Sequence, residues 1–449
     1  MAAKKQTSRF VCSNCGAQHS AWAGRCSVCG EWNTIQEEPG LVSVGGSAGS
    51  GDVLKTIEAK NAKSKETSSR ISSGIKDFDN VLGGGFVRGG ICLTAGQPGI
   101  GKSTLLLQAA ANIAKNNSVL YVSGEESAHQ IALRANRLGV DNSKLALATS
   151  TSADDIAVTI SSKDYDVVFV DSIQTMTVGA VASSAGSVSQ ITNSTHLIMN
   201  AAKRANTAVV LVGHVTKEGS IAGPKILEHV VDVVLNLEGD RYGGFKLLRS
   251  VKNRFGSTNE AGIFEMKNEG LVQVENPSAS LLAERQESDG SVVLATMEGM
   301  RPVLVEVQAL VNKTSYGYPK RAASGIDLNR VNLLVAMLER RTKLNLADQD
   351  IYINIVGGIR ISEPAADLAI CMAIGSAAKG LQLKGNAVVF GEVGLSGEVR
   401  RVNFGDKRIA EAKKLGFDTV IGPKLTGKAD KILKPVTNIK EALNTYLKK

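Results

Sequence analysis

Gly96-Gln97-Pro98-Gly99-Ile100-Gly101-Lys102-Ser103-Thr104 decides the fold class of this 449-residue chain. The stretch fits the nucleotide-binding pattern G-x-x-x-x-G-K-[ST] at Gly96, Gly101, Lys102 and Ser103. Glycines let a tight loop turn its backbone N–H groups inward around phosphates, where a bulky side chain would obstruct them. Lys102 then reaches the β- and γ-phosphates and the Ser103 hydroxyl ligates Mg²⁺. Leu105, Leu106 and Leu107 continue into a helix whose positive N-terminal end faces the anion. Ile91-Cys92-Leu93-Thr94 reads as the short buried strand that feeds the loop. Strand, loop and helix in this order predict an α/β P-loop domain with Gly96 to Thr104 as its ATP-binding residues.

Further apolar runs bring acids to the same region. Val119-Leu120-Tyr121-Val122 is strand-like and ends in Ser123-Gly124-Glu125-Glu126. A carboxylate at the end of a parallel strand beside the nucleotide strand can orient an attacking water. Glu125 is given the larger share of that role and Glu126 the smaller; in the competing reading both are surface acids ahead of a helix from Ser127. Asp166 to Ser172 is a second buried strand, and Asp171 at its end is the expected Mg²⁺-linked acid. Ala208 to Gly213 forms a third, delivering His214 and Lys217. His214 reads either as a contact of the γ-phosphate or Asp171 region, or as a hydrogen-bonded core histidine. Ile75 to Gly90 reads as a polar, Gly-rich approach to the loop. Thr177 to Gln190 reads as a small, polar, flexible loop, and Thr216 to Ile226 as a loop carrying Lys217 and Lys225.

Six cysteines divide into a cluster of four and two isolated ones, Cys92 and Cys371, in apolar surroundings. The spacing Cys12-x2-Cys15-x10-Cys26-x2-Cys29 forms two knuckles, each able to place two thiolates on one ion, and tetrahedral Zn²⁺ is the natural guest. A segment this short buries no sufficient core, so the metal supplies much of its folding energy. The rival, a pair of disulfides, is disfavoured because MAAKKQTSRF leads into the cysteines without an apolar signal core. Trp22 and Trp32, with Arg25, either cover the metal or present a partner surface. No run approaches the roughly 18 apolar residues of a membrane span. A cytoplasmic protein without a membrane partner is therefore expected. The formal charge of +9 favours a polyanionic partner.

The order of strands, acids and loops resembles the RecA-like ATPases, in which loops after two core strands line a DNA channel. That resemblance makes Lys217 and Lys225 candidate DNA contacts. At Lys252-Asn253-Arg254-Phe255-Gly256 it sharpens. KNRFG, between a four-cysteine knot and a long C-terminal domain, looks like the bacterial RadA (Sms) family of recombination proteins. The resemblance implies a homohexamer in which Lys252 and Arg254 act at the neighbour's ATP site, joining Lys102, Glu125 and Asp171 as catalytic residues. It implies a DNA-dependent ATPase and helicase promoting branch migration, with ATP, Mg²⁺ and Zn²⁺ as cofactors. Its partners would be single-stranded and branched DNA and a recombinase of the RecA type. The expected organisation is a zinc finger over 1–35, a linker over 36–69, a RecA-like ATPase domain over 70–275 and an α+β domain over 276–449.

That last domain, with a strand around Val303 to Val307 and helices over Asn329 to Arg341 and Pro364 to Ala378, resembles the proteolytic domain of Lon. The departure matters more than the match. Ala365, in Glu363-Pro364-Ala365-Ala366-Asp367, occupies the serine nucleophile position and Asp406 the lysine position, with Lys407 adjacent, so peptidase activity is expected to be absent. Its basic residues, Lys320, Arg321, Arg330, Arg340, Arg341, Lys343, Arg360, Arg400, Arg401, Lys407 and Arg408, are candidates for a phosphate-contacting track. Two further functions remain at this point: an ATP-driven switch or scaffold on DNA without translocation, and an ATP-dependent protease, which Ala365 argues against.

Overall fold

Three short strands at the N-terminus, β1 (Ser8–Cys12), β2 (Gln18–His19) and β3 (Ile35–Pro39), form an antiparallel sheet in the order β2-β1-β3. Its core is small: Cys12, Cys26 and Ile35 are buried, with Phe10, Ala17 and Cys29 packed against them. The computed structural model describes residues 8–14, 17–19, 21–39, 70–140, 144–214, 226–239, 244–315, 317–426 and 430–448. Contacts divide the chain into one unit of Met1–Arg241 with Lys246–Gln273 and another of Tyr242–Phe245 with Val274–Lys449.

The nucleotide-loop domain continues with α1 (Lys76–Leu82), β4 (Ile91–Gly96), α2 (Lys102–Ile113), β5 (Val119–Ser123), α3 (Ala128–Arg137), β6 (Leu145–Thr149), α4 (Ala153–Ser162) and β7 (Val167–Asp171). Then come α5 (Val188–Ala205), β8 (Ala208–Val212), α6 (Ile226–Val230), β9 (Val233–Gly239), β10 (Phe245–Asn253), β11 (Ala261–Lys267) and β12 (Gly270–Gln273). Among the described residues, nine strands form one sheet in the order β12-β11-β10-β9-β4-β8-β7-β5-β6. From β9 to β6 neighbours run parallel.

Strands β4, β5, β7 and β8 are buried end to end, as expected when helices cover both faces of a parallel sheet. Successive residues serve opposite faces. Val167 and Phe169 join a core with Leu105, Leu106 and Leu107 of α2, whereas Val168 and Val170 pack with Ile156 and Ile160 of α4 and Ile198 of α5. β8 lies between β4 and β7, so the nucleotide-loop strand and the Asp171 strand flank a third strand. This is a RecA-like arrangement.

Two local readings change. The approach to the loop contains α1, because Phe78, Val81 and Leu82 share one buried helical face; the glycines Gly83, Gly84 and Gly85 masked that period. The loop after β7 is also anchored. Gln190 is 2% exposed, and its side-chain N–H groups donate to Val181 O at 2.8 Å and Ser183 O at 2.9 Å, while its Oε1 accepts from Val178 N at 2.8 Å. One buried amide thus fixes much of a stretch expected to be flexible.

The C-terminal unit holds α7 (Pro277–Leu282), β13 (Ser291–Glu298), β14 (Arg301–Lys313), β15 (Arg321–Ser324), α8 (Leu328–Thr342), β16 (Gln349–Ile355), α9 (Asp367–Lys379), β17 (Gln382–Leu383) and β18 (Ala387–Val389). It closes with β19 (Glu392–Val393), β20 (Val399–Arg400), α10 (Gly405–Lys414), β21 (Thr419–Gly422), β22 (Leu433–Pro435), α11 (Ile439–Tyr446) and β23 (Leu447–Lys448). Its main sheet has the order β15-β16-β14-β13-β18-β21-β22 and mixes antiparallel with parallel pairs. The fold is that of a Lon-protease-like α+β domain. Helix α9 begins after the 3₁₀ turn Pro364–Ala366 and is buried over its first ten residues. Among the described residues no helix is long and apolar enough to cross a membrane.

Candidate functional site

The C-terminal ends of β4, β5, β7 and β8 open on one edge of the sheet, where open α/β sheets bind ligands. The loop from Gly96 enters α2 through Gly101, whose φ of +113° disfavours any side chain; a Cβ there would also meet Met266 Cε at 2.7 Å. Lys102 opens α2, with Ser103 and Thr104 in its first turn.

Lys102 is 4% exposed. Its ammonium donates to Gly96 O at 2.9 Å and Gln97 O at 3.1 Å and lies 3.2 Å from His214 Nδ1. The other ring nitrogen of His214 faces Glu125 Oε1 at 3.5 Å. A neutral imidazole accepting from Lys102 and presenting Nε2–H to the carboxylate satisfies both contacts. His214 therefore joins Lys102 to Glu125 through its two ring nitrogens. Glu125 Oε1 also accepts from Ser172 Oγ at 2.5 Å. Glu126 instead pairs with Arg134 at 2.8 Å, away from this cluster.

Asp171 is 7% exposed, and its Oδ2 accepts from the Tyr121 hydroxyl at 2.6 Å. The Tyr121 ring stacks on Phe169 with centroids 6.0 Å apart. Burial, reinforced by the Asp171 charge, pushes the Tyr121 phenol well above its ordinary range, so it stays a donor. Tyr121 and Ser172 were missed by sequence reasoning; the available signal was a hydroxyl beside, or directly after, a strand-terminal acid.

Burial pushes the Lys102 pKa down to about 8, with the Asp171 and Glu125 carboxylates pulling the other way. A triphosphate favours the charged ammonium. Below this value Lys102 is already protonated and ATP affinity is flat with pH; above it, binding must also take up a proton. The apparent Kd for ATP is expected to rise by up to about tenfold per pH unit from about pH 8 upward. Calorimetric titrations from pH 7 to 9 check this, and Lys102→Arg, charged throughout, should flatten the profile.

In KNRFG, four residues are tied down. Lys252 Nζ donates to Glu228 O at 2.7 Å, His229 O at 3.2 Å and Val231 O at 2.8 Å, capping the end of α6. Asn253 Nδ2 donates to Leu82 O at 3.2 Å, Phe255 O accepts from Arg70, and Gly256 packs against Gly83. Arg254 is 55% exposed at its side chain and stands 3.4 Å from Asp232. Lys217 and Lys225 lie outside the described residues.

In the N-terminal ribbon the sulfurs of Cys12, Cys26 and Cys29 lie within 4.8 Å of one another, with Cys12 and Cys29 3.7 Å apart. Thiolates about 2.3 Å from a tetrahedral Zn²⁺ sit at this spacing, so the donor set fits zinc. Cys15 lies outside the described residues. A backbone N–H from Cys29, with further help from Val28 and His19, holds the Cys26 thiol down at about 5, which favours the ligating thiolate. Trp22 is 61% and Trp32 67% exposed, with the Arg25 guanidinium 5.8 Å from the Trp32 ring. Cys26→Ser is expected to reduce bound zinc by at least about tenfold while ATP turnover stays within about twofold, checked by metal analysis and steady-state hydrolysis on one preparation.

The two positions expected to stand where Lon has its serine and lysine both lie in the C-terminal unit. Ala365 is a buried methyl, and Asp406 lies exposed in the first turn of α10. Beside them Arg408, 1% exposed, donates to both Glu363 oxygens at 2.9 and 2.6 Å and to Ala295 O at 2.5 Å. Arg408 is thereby removed from any phosphate-contacting track. Arg330 is committed to the buried Asp367 through both oxygens.

Comparison with known proteins follows these divisions. Residues 10–37 match the rubredoxin metal binding domain, 60–220 an AAA domain, and 326–425 subunit ChlI of Mg-chelatase. The DNA repair protein RadA of Bacillus subtilis is 47% identical over 99% of both chains. That of Aquifex aeolicus is 45% identical over 98% of this chain and 99% of its own, and that of Escherichia coli 45% over 94% and 93%. Among solved structures, the RadB recombinase aligns with 46% of this chain and 100% of its own at 23% identity and a TM-score of 0.38. With near-complete coverage at these identities, the chain belongs to the RadA family of bacterial DNA repair proteins.

Proposed function

We propose that this protein is a Mg²⁺- and ATP-dependent DNA motor of the cytoplasm, a DNA-dependent ATPase and helicase that drives branch migration during strand exchange begun by a RecA-type recombinase. It works as a homohexamer on single-stranded and branched DNA, with Lys217 and Lys225 touching DNA. Its parts are the zinc finger (1–35), linker (36–69), ATPase domain (70–275) and protease-derived domain (276–449). The observation that carries the catalytic reading is the convergence of Lys102, His214, Glu125 and Ser172 at the strand ends beside Asp171. Family membership carries the DNA reading.

In the cycle, the loop from Gly96 to Thr104 cradles the triphosphate and Lys102 exchanges His214 and the loop carbonyls for phosphate oxygens. Ser103 and Asp171 would hold Mg²⁺, which would supply neutralising charge at the phosphates. Glu125 accepts the proton of a water whose oxygen bonds to the γ-phosphorus as the bond to the β–γ bridging oxygen breaks, releasing ADP and phosphate. Lys252 and Arg254 act on the neighbouring subunit's ATP, where a cation supplied in trans stabilises charge on the transferring phosphoryl group. Arg254 is the exposed member; Lys252 must first leave three carbonyls.

Strand displacement on a forked duplex, with Lys102→Ala as the inactive control, tests the motor. ATP-dependent displacement supports it. Hydrolysis that never displaces a strand replaces the motor with a conformational switch, and ATP-dependent casein cleavage would replace it with a protease.

A further inference from the structure

Ser172 follows Asp171 directly and is fully buried, and its hydroxyl reaches across to Glu125 Oε1 at 2.5 Å. Both sides of this contact are braced. On one, Ser172 O accepts from Thr175 Oγ1 at 2.8 Å and Thr175 N at 3.3 Å, closing the 3₁₀ turn Ile173–Thr175. On the other, Gly124 N donates to Asp171 O at 2.8 Å, and the N–H groups of Glu125 and Glu126 meet Ser123 Oγ at 3.2 and 2.9 Å. Gly124 makes the approach possible, since a Cβ there would lie 2.2 Å from Thr175 Oγ1 and 2.8 Å from Met176 Cε. The backbone of Glu125 is thus lowered onto the turn that carries Ser172.

His214 Nε2, at 3.5 Å, approaches the same oxygen, Oε1. Glu125 Oε2 has no partner among the described residues, and the side chain is 46% exposed. One oxygen is held and the other is free.

We propose that Ser172 is a positioning residue for ATP hydrolysis: it fixes Glu125 Oε1 so that Oε2 is presented to the attacking water. A carboxylate rotating freely at a half-exposed position spends little time in the attack geometry, and misplacement of a reacting group by about 1 Å costs about a hundredfold in rate. The inference rests on Glu125 being the group that takes the water's proton.

The test uses the full chain with Ser172→Ala, Glu125→Gln and the double substitution. It measures steady-state ATP hydrolysis and the affinity for a non-hydrolysable ATP analogue. Ser172→Ala should lower kcat by about 10- to 100-fold, with KM and analogue affinity within about twofold. In the Glu125→Gln background, where turnover is already lost, it should add less than about twofold, because its effect passes through the carboxylate. Ser172→Ala turning over within about twofold of wild type, or multiplying the Glu125→Gln loss by its full factor, overturns the proposal. Glu125→Gln retaining wild-type turnover overturns the reading of Glu125 itself, a result distinct from either.

Discussion

Lys102→Ala is expected to reduce ATP turnover by at least about a thousandfold, the scale on which loss of a cation at a transferring phosphoryl group is felt. Every neighbour of this ammonium belongs to the site: the loop carbonyls of Gly96 and Gln97, His214, and through His214 the Glu125 carboxylate. The loss should come without unfolding. Burial works against the charged form of Lys102, and only the carboxylates and carbonyl dipoles offset it; removing the ammonium removes a buried charge rather than a packing element. The variant's melting temperature should therefore equal or exceed that of wild type. A folded Lys102→Ala protein that retains turnover would show that the loop is not the hydrolytic site.

The largest stability effect is expected at Arg408. Its guanidinium spans three segments, reaching Glu363 before the 3₁₀ turn, Ala295 O in β13 and Asn403 O ahead of α10, with the Phe390 ring 5.7 Å away. Glu363 Oε1 also accepts from Thr296 Oγ1 at 2.6 Å and Met297 N at 2.8 Å. Arg408→Ala leaves that carboxylate partly buried without its cation, which typically costs about 3–5 kcal/mol, enough to unfold the C-terminal unit below its normal melting temperature. Replacing both partners with apolar residues, Glu363→Leu with Arg408→Met, should recover much of the loss, because the penalty belongs to the orphaned charge. Burial raises the Glu363 pKa, and Arg408 with the neighbouring donors outweighs it to leave the net shift downward. The pair's stabilisation is thus present above the ordinary glutamate pKa and is lost as pH falls through the lowered one. Thermal melts of the variants across acid pH check both points.

The nucleotide loop, its strand and the two strand-end acids were legible because each is a local pattern: a glycine spacing, an unbroken apolar run, a carboxylate where the run stops. The clustering of Cys12, Cys26 and Cys29 was legible for the same reason. Groups defined by what lies across a turn were not. Ser172 and Tyr121 matter through Glu125 and Asp171, which stand 47 and 50 positions away along the chain. Gln190 reads as one more polar residue in a polar loop until its amide is seen to hold four backbone groups. Arg408 read as a surface cation because charged residues usually are; Glu363 and the Ala295 and Asn403 carbonyls explain its burial. Local chemistry is written in the sequence; reciprocal hydrogen bonding across the fold is not.

The most direct test of the motor is the steady-state ATP hydrolysis rate of the full chain, measured alone, with single-stranded DNA and with forked DNA. Hydrolysis stimulated by DNA, and strongest with the DNA that the same preparation unwinds, is the predicted result. Hydrolysis at one rate whether or not DNA is present would contradict it.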